Sequence, residues 1–187
     1  TEVQFAFESG SKKILDVIKK SRSPEGSISL IRAGLAAGIN ITVNTILGLP
    51  GEGYREIFQT YLLVMKGAFI GLHEINVFPF MVYPGSALFN KFIKEGKVKL
   101  TDEYFLKMFF YIDPTRAVSF SDKFSPKMLN FLRIFVLASF YCVAFISHPK
   151  RIVQTIINTA RGVSTTKLEV VLKRVGKTVR IYMLNKK

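Results

Sequence analysis

Hydrophobic positions along this chain change period several times, and each change marks an element. "VQFAFES" puts Val3, Phe5 and Phe7 on one face, the period of two of a half-buried strand. "SKKILDVIKK" then spaces Ile14, Leu15 and Ile18 as a helix would. "SPEGSISLIRAGLAAG" predicts a second helix, with Ser23 as N-cap, Pro24 at the first helical position and Gly38 at its C-terminal end. Ile39 to Leu47 is a nearly continuous β-branched run, which suits a strand covered on both faces. "YREIFQTYLLVMKG" predicts a helix with Ile57, Tyr61 and Val64 on one side, "LHEINVFPF" a third strand, and "SALFNKFIKEG" a helix closing at Gly96.

Strand, helix pair, strand, helix, strand, helix is an order that calls for parallel strands joined by right-handed crossovers. The predicted class is therefore α/β, an incomplete (β/α) barrel of about three parallel units over residues 1–100. Three strands cannot close a barrel and would leave open edges. The first residues, "TEVQFAFESG", enter a strand at once and show no Met, basic n-region or apolar h-region. The expectation is a C-terminal piece whose remaining staves lie upstream.

Residues 101–187 read as a helical, basic extension. Thr101 is placed to cap a connecting helix that Pro114 stops, and Ser125-Pro126 opens a long apolar helix that His148-Pro149 ends. Leu129 to Ser147 approaches the roughly 20 apolar residues of a membrane span. Its uninterrupted part, Ile134 to Ile146, is shorter, which leaves three readings open: a helix packed on the barrel exterior, a surface helix, or a span. "KRIVQTIINTARG" is a short amphipathic helix, and "GKTVRIYML" is compatible with helix or strand.

Charge sharpens that division. The formal net charge is +14, yet residues 1–100 hold 12 Lys+Arg against 8 Asp+Glu, while residues 101–187 hold 15 against 5. Beyond Lys150 Glu169 is the one acid. Val170, Val171, Val175, Val179 and Tyr182 can form an apolar stripe beside Lys167, Lys173, Arg174, Lys177 and Arg180, which leaves two readings of the tail open: contact with an anionic membrane surface through residues 125–187, or a solvated basic face with no partner. Nucleic acid is disfavoured, because no aromatics interleave with the cations for base stacking. The predicted location is cytoplasmic, peripheral at a membrane in the first of those two readings.

Candidate chemistry gathers after the strands, where parallel α/β folds place their ligands. "FESGS" (7–11), "GLPGEG" (48–53) and "PFMVYPGS" (79–86) each follow a strand and precede a helix. Glycines there admit a ligand close to the backbone, and Glu8 and Glu52 offer acceptors for hydroxyl or ammonium groups. The simpler reading of the second loop is a tight turn in which Glu52 complements a helix end. His73 and His148 have no companions at metal-ligand spacing, Asp102, Glu103 and Asp113 form no recognisable acid–base pair, and Cys142 stands alone.

Taken in order, "FESGSKKILDVIKK", "GINITVNTILGLPGEGYREIFQT" and "INVFPFMVYPGSALF" resemble the second half of a radical S-adenosylmethionine barrel. The type is the cobalamin-binding group that includes anaerobic magnesium-protoporphyrin ester cyclases. The resemblance implies that Glu8, Ser9, Gly10 and Ser11 contact the ribose or methionine part of S-adenosylmethionine. It implies that Asn44, Ile46, Gly48, Pro50, Gly51 and Glu52 line the adenine side. Asn76, Pro79, Tyr83, Pro84 and Gly85 would face substrate. Asn44 stands where the family has a glycine, and the carboxylate arrives one residue late, at Glu52. The family's 4Fe-4S cluster needs a Cys-x-x-x-Cys-x-x-Cys loop, which this chain lacks, so the cluster, and cobalamin with it, would belong to the intact parent. The chain alone is expected to carry out no radical chemistry. A non-catalytic membrane-surface module is the rival expectation from another class, and an ordinary α/β barrel that binds a phosphate-containing ligand is the other enzyme reading.

Overall fold

Strand β1 (Glu2–Glu8) pairs in parallel with β2 (Asn40–Leu47), and β2 pairs in parallel with β3 (Glu74–Pro79). The computed structural model describes residues 2–110 and 119–184. Helices α1 (Lys12–Val17) and α2 (Pro24–Ala36) join β1 to β2, α3 (Tyr54–Ile70) joins β2 to β3, and α4 (Ala87–Lys94) follows β3. Then come α5 (Asp102–Phe110), α6 (Pro126–Ser147), α7 (Lys150–Arg161) and α8 (Lys167–Leu184). The α/β alternation expected over the first hundred residues is present, as a three-stranded open sheet. The stretch left open between helix and strand is helical, as α8. The expected stop at Pro114 and the carboxyl of Asp113 lie outside the described residues, as do the side chains of Val179, Arg180 and Tyr182.

The local signals explain most boundaries. Ser23, Ser86 and Ser125 each accept a backbone N–H of the following first turn, from Gly26, Phe89 and Met128. Gly38 sits left-handed just past α2, with Gly38 N–H bonded to Leu35 O and Ile39 N–H to Gly34 O, a Schellman closure.

The sheet has two unlike faces. Phe5, Phe7, Val43, Leu47, Ile75 and Val77 point to one side and pack with Ile31, Ile57, Val64, Phe140 and Ala144 from the helices. Period two sends the alternate residues to the other side. There Asn44 Oδ1 accepts from both Gln4 Nε2 and Asn76 Nδ2, at 2.7 Å each, and Thr42 donates to Glu2 at 2.7 Å. This second face carries a polar ladder across all three strands instead of an apolar run.

Helix α6 lays Leu129, Val136, Phe140 and Ala144 against that core and leaves Phe131, Ile134, Phe135 and Ile146 exposed. Among the described residues it is the one helix long and apolar enough to cross a membrane, by length and composition. The tail is latched to the start of β3. Glu74, buried, accepts from the Tyr141 hydroxyl at 2.6 Å and from the backbone N–H of Lys167 at 2.7 Å. Arg151 donates to Leu72 O at 2.9 Å and to His73 O. Burial, then the neighbouring Glu74 charge, pushes the Tyr141 hydroxyl above its ordinary pKa, so it stays a donor.

Replacing Glu74 by Ala strips an acceptor from the first turn of α8 and from Tyr141. Buried donors left unpaired cost about 1–3 kcal/mol each. Urea unfolding should register a loss of about 2–4 kcal/mol for Glu74→Ala, and hydrogen exchange should speed up at the start of α8. Unchanged exchange there would contradict the latch.

Candidate functional site

Parallel strands of matched register end together, and here their ends surround one cleft. It has a volume of about 420 Å³ and lies on the polar face of the sheet, at the carboxyl ends of the strands. Glu8, Ile46 and Pro79 enter it from β1, β2 and β3, and Leu49, Phe80, Met81 and Tyr83 complete its mostly apolar wall. Beneath it a second core of Ile14, Phe89, Phe92, Val98 and Tyr104 packs α1, α4 and α5 together.

Two charges meet at the rim. Glu8 is the last residue of β1, and its φ of 59° is left-handed, so the chain turns sharply there. Its carboxylate pairs with Lys20 Nζ at 2.9 Å. Lys20 reaches it because α1 ends early in a Schellman closure: Lys19 is left-handed, Lys19 N–H bonds to Asp16 O, and Lys20 N–H bonds to Leu15 O. Ile18 and Lys20 both line the cleft; they lie inside the "FESGSKKILDVIKK" stretch, but the ligand-facing part of that stretch reads as Glu8 to Ser11 alone. The C′ lysine was the available signal, and lysine is a poor advertisement for a left-handed residue.

The remaining residues of the first loop turn the other way. Ser9 is fully buried, hydrogen-bonded to Thr60 Oγ1 at 3.1 Å and to Ser11 N–H at 3.1 Å. Gly10 donates to Thr60 Oγ1 at 2.9 Å, and a Cβ on it would lie 2.5 Å from the carbonyl oxygen of Gln59. "SGS" therefore docks the loop on α3, and Gly10 is required by that close approach.

In the second loop Ile46 and Leu49 face the cleft, while the backbone between them is held from behind. Glu52 is 1% exposed and its Oε2 accepts Gly48 N–H at 2.6 Å and Leu49 N–H at 3.1 Å. Its Oε1 is buried without a partner. Burial is the largest influence on this carboxyl and raises its pKa to about 7, against the lowering effect of the two N–H groups. Gly48, at φ 83°, backs onto Leu129 of α6, where a Cβ would come within 2.7 Å of a methyl group. Pro50 and Gly51 shape the turn outside the cleft wall. Nearby, Glu56 accepts from Lys13 Nζ at 2.9 Å and Gly53 N–H at 2.8 Å, and these bonds lower its pKa to about 2. Glu56 and Thr60 of α3 are anchors that sequence reading passed over, since nothing in a helical repeat marks which polar residues grip a neighbouring loop.

Asn44 and Asn76 lie one pleat below Ile46 and Phe78, in the polar ladder, and Asn76 Oδ1 is buried without a partner. Tyr83 lines the cleft, with Pro84 and Gly85 exposed beyond it in the turn that Ser86 closes by donating to Tyr83 O at 2.8 Å. The structure thus brings Glu8, Ile46, Pro79 and Tyr83 to one cleft, and sets Ser9, Gly10, Ser11, Gly48, Pro50, Gly51 and Glu52 around its supporting loops. Among the described residues no group of three His, Cys, Asp or Glu side chains could hold a metal ion.

Gly10→Ala should lose about 1–3 kcal/mol in denaturant unfolding, the usual cost of overpacking; wild-type stability in that variant would contradict the docking on α3. A folded-state pKa of about 7 for Glu52, raised from 4.5, makes the folded protein bind the extra proton. Its contribution is therefore full below pH 4.5 and is lost as pH rises to about 7. Glu56 works oppositely: its lowered pKa gives stability that is present above 4.5 and lost as pH falls through about 2. Glu52→Gln should flatten the decline of stability between pH 4.5 and 7, a decline of a few kcal/mol at about 1.36 kcal/mol per pKa unit. Parallel pH profiles for the two proteins would show that Glu52 is not the titrating group.

No protein-family model matches this chain. Over 101 residues it is 24% identical to the uncharacterized protein MJ0486 of Methanocaldococcus jannaschii, a match covering 54% of this chain and 30% of that protein. Its fold was also matched to that of an archaeal Elp3 from Methanocaldococcus infernus with an N-terminal deletion, at a TM-score of 0.43 and 16% identity, covering 72% of this chain and 35% of that one. The chain thus spans about a third of the length of each.

Proposed function

We propose that the cleft at the strand ends is one side of an S-adenosylmethionine pocket, in a piece of a radical S-adenosylmethionine enzyme of the cobalamin-binding type. The observation that carries this reading is the convergence of Glu8, Ile46 and Pro79, from three separate strands, on one largely apolar cleft. The sequence motifs that resemble that family supply those same three strand ends. An apolar wall of Ile46, Leu49, Phe78 and Met81 suits the face of a purine, and the Glu8 carboxylate at the rim suits a ribose diol or an α-ammonium group. The Lys20 ammonium, paired with Glu8 at the cleft rim, suits the carboxylate of the methionine part.

When bound, S-adenosylmethionine supplies a sulfonium centre, the source of a methyl group or an adenosyl fragment. This chain's own part is to bind and orient it. Glu52 keeps the Gly48–Leu49 backbone in place, and Ser9 and Gly10 fix the turn that aims Glu8. An iron–sulfur cluster is a different matter. Thiolates are its ligands, and Cys142 stands exposed on α6, away from the cleft-lining residues. The described residues do not fit a cluster; in this reading the cluster and cobalamin are held by other parts of a longer protein.

The test is titration of S-adenosylmethionine into protein carrying labelled Ile, Leu and Met methyl groups. Shifts should concentrate at Ile46, Leu49 and Met81 and spare Ile152 and Ile156. Glu8→Gln should weaken binding about tenfold, the equivalent of losing about one charge-assisted hydrogen bond. Shifts scattered over the surface, or unaltered affinity in Glu8→Gln, would defeat the assignment.

A further inference from the structure

Helix α7 is amphipathic, and it is mounted inside out. Its polar side faces the protein. Arg151 reaches the carbonyls of Leu72 and His73, and Gln154 donates to Asn158 at 2.8 Å. Asn158, only 8% exposed, donates to the Glu169 carboxylate at 2.9 Å. Its apolar side faces outward: Ile152 is 42% exposed, Val153 58% and Ile156 63%. Ile146, near the end of α6 just before the His148–Pro149 turn, is also 82% exposed. Water is a poor neighbour for such a surface.

Charge identifies the phase that covers it. No acidic residue occurs between Asp122 and Glu169, a stretch containing Lys123, Lys127, Arg133, Lys150, Arg161 and Lys167 among its cations. Glu169 itself is sealed inside, its carboxylate taken up by the N–H groups of Thr165 and Thr166 at 2.6 and 3.0 Å as well as by Asn158. Lys150 and Arg161 bracket α7 at its two ends. A helix of 12 residues is about 18 Å long at 1.5 Å per residue, too short to cross a bilayer of about 30 Å. An apolar strip of this length, flanked by cations whose stems can reach up to phosphates, suits the headgroup layer of a membrane.

We infer that α7 docks this protein on an anionic bilayer, lying in the interface with Ile152, Val153 and Ile156 among the acyl chains and Lys150 and Arg161 on lipid phosphates. The occupant is a lipid surface, and the polar latch to β3 holds α7 in that presentation. This inference stands apart from the cleft and its ligand.

The experiment is flotation of the full chain with phosphatidylcholine vesicles, with and without phosphatidylserine, at low and high salt. Binding should require phosphatidylserine and weaken in high salt. The variant V153D/I156D, altered at exposed positions, should keep its circular dichroism and bind roughly tenfold or more weakly. K150E/R161E should bind more weakly and lose most of its salt dependence. Equal binding to both vesicle types, absence of binding to either, or undiminished binding by folded V153D/I156D would overturn the inference. So would a lipid-free dimer, seen by light scattering, that V153D/I156D dissociates, because the apolar face would then belong to a second copy.

Discussion

Parallel pairing of three strands in matched register is the constraint from which the rest of this structure follows. Val43 sits beside Phe5 and Ile75, and Asn44 beside Ala6 and Asn76, so the strands leave the sheet at one edge and their loops meet. The same register sorts the side chains. One face is an apolar bed for α2, α3 and α6, and the other is the Gln4–Asn44–Asn76 ladder that leads up to the cleft. A one-residue slip of β2 would put Val43 on the polar face and Asn44 in the core, which the burial of an amide forbids.

The strand–helix order was legible because each element announces itself twice, by period and by punctuation. Ser23-Pro24 and Ser125-Pro126 cap their helices where the sequence says they should, and Gly38 and Gly96 close theirs with left-handed turns. The convergence of strand ends was legible too, since it needs only the parallel topology. The direction each loop residue faces was not. "ESGS" reads as one ligand-facing strip, yet Glu8 alone reaches the cleft, because Gly10 can approach the backbone of α3 and pulls both serines with it. Glu52 likewise reads as a helix-end acceptor. The tight turn formed by Gly48, Pro50 and Gly51 folds it back beneath its own loop.

The tail shows the same limit at larger scale. Its basic, apolar composition was plain, but amphipathic periodicity does not say which side faces in. Polar contacts decide it: Arg151 has two carbonyls to satisfy at the β2–β3 end of the sheet, and Asn158 has Glu169. "GKTVRIYML" carries β-branched residues that favour a strand, yet it continues as α8 from a first turn fixed by Glu74 and Glu169. The latch grips the amino end of β3 and the cleft opens at its carboxyl end, so the two regions share a strand without sharing residues.

The central claim is that these three strand ends form one wall of a nucleoside pocket. Photolabelling with an azidoadenine analogue of S-adenosylmethionine, followed by peptide mapping, tests it most directly. Label on the peptides holding residues 46–49 and 78–83, displaced by unlabelled S-adenosylmethionine, is the predicted result. Label on α7 or α8, or label that the unmodified compound fails to displace, would contradict it.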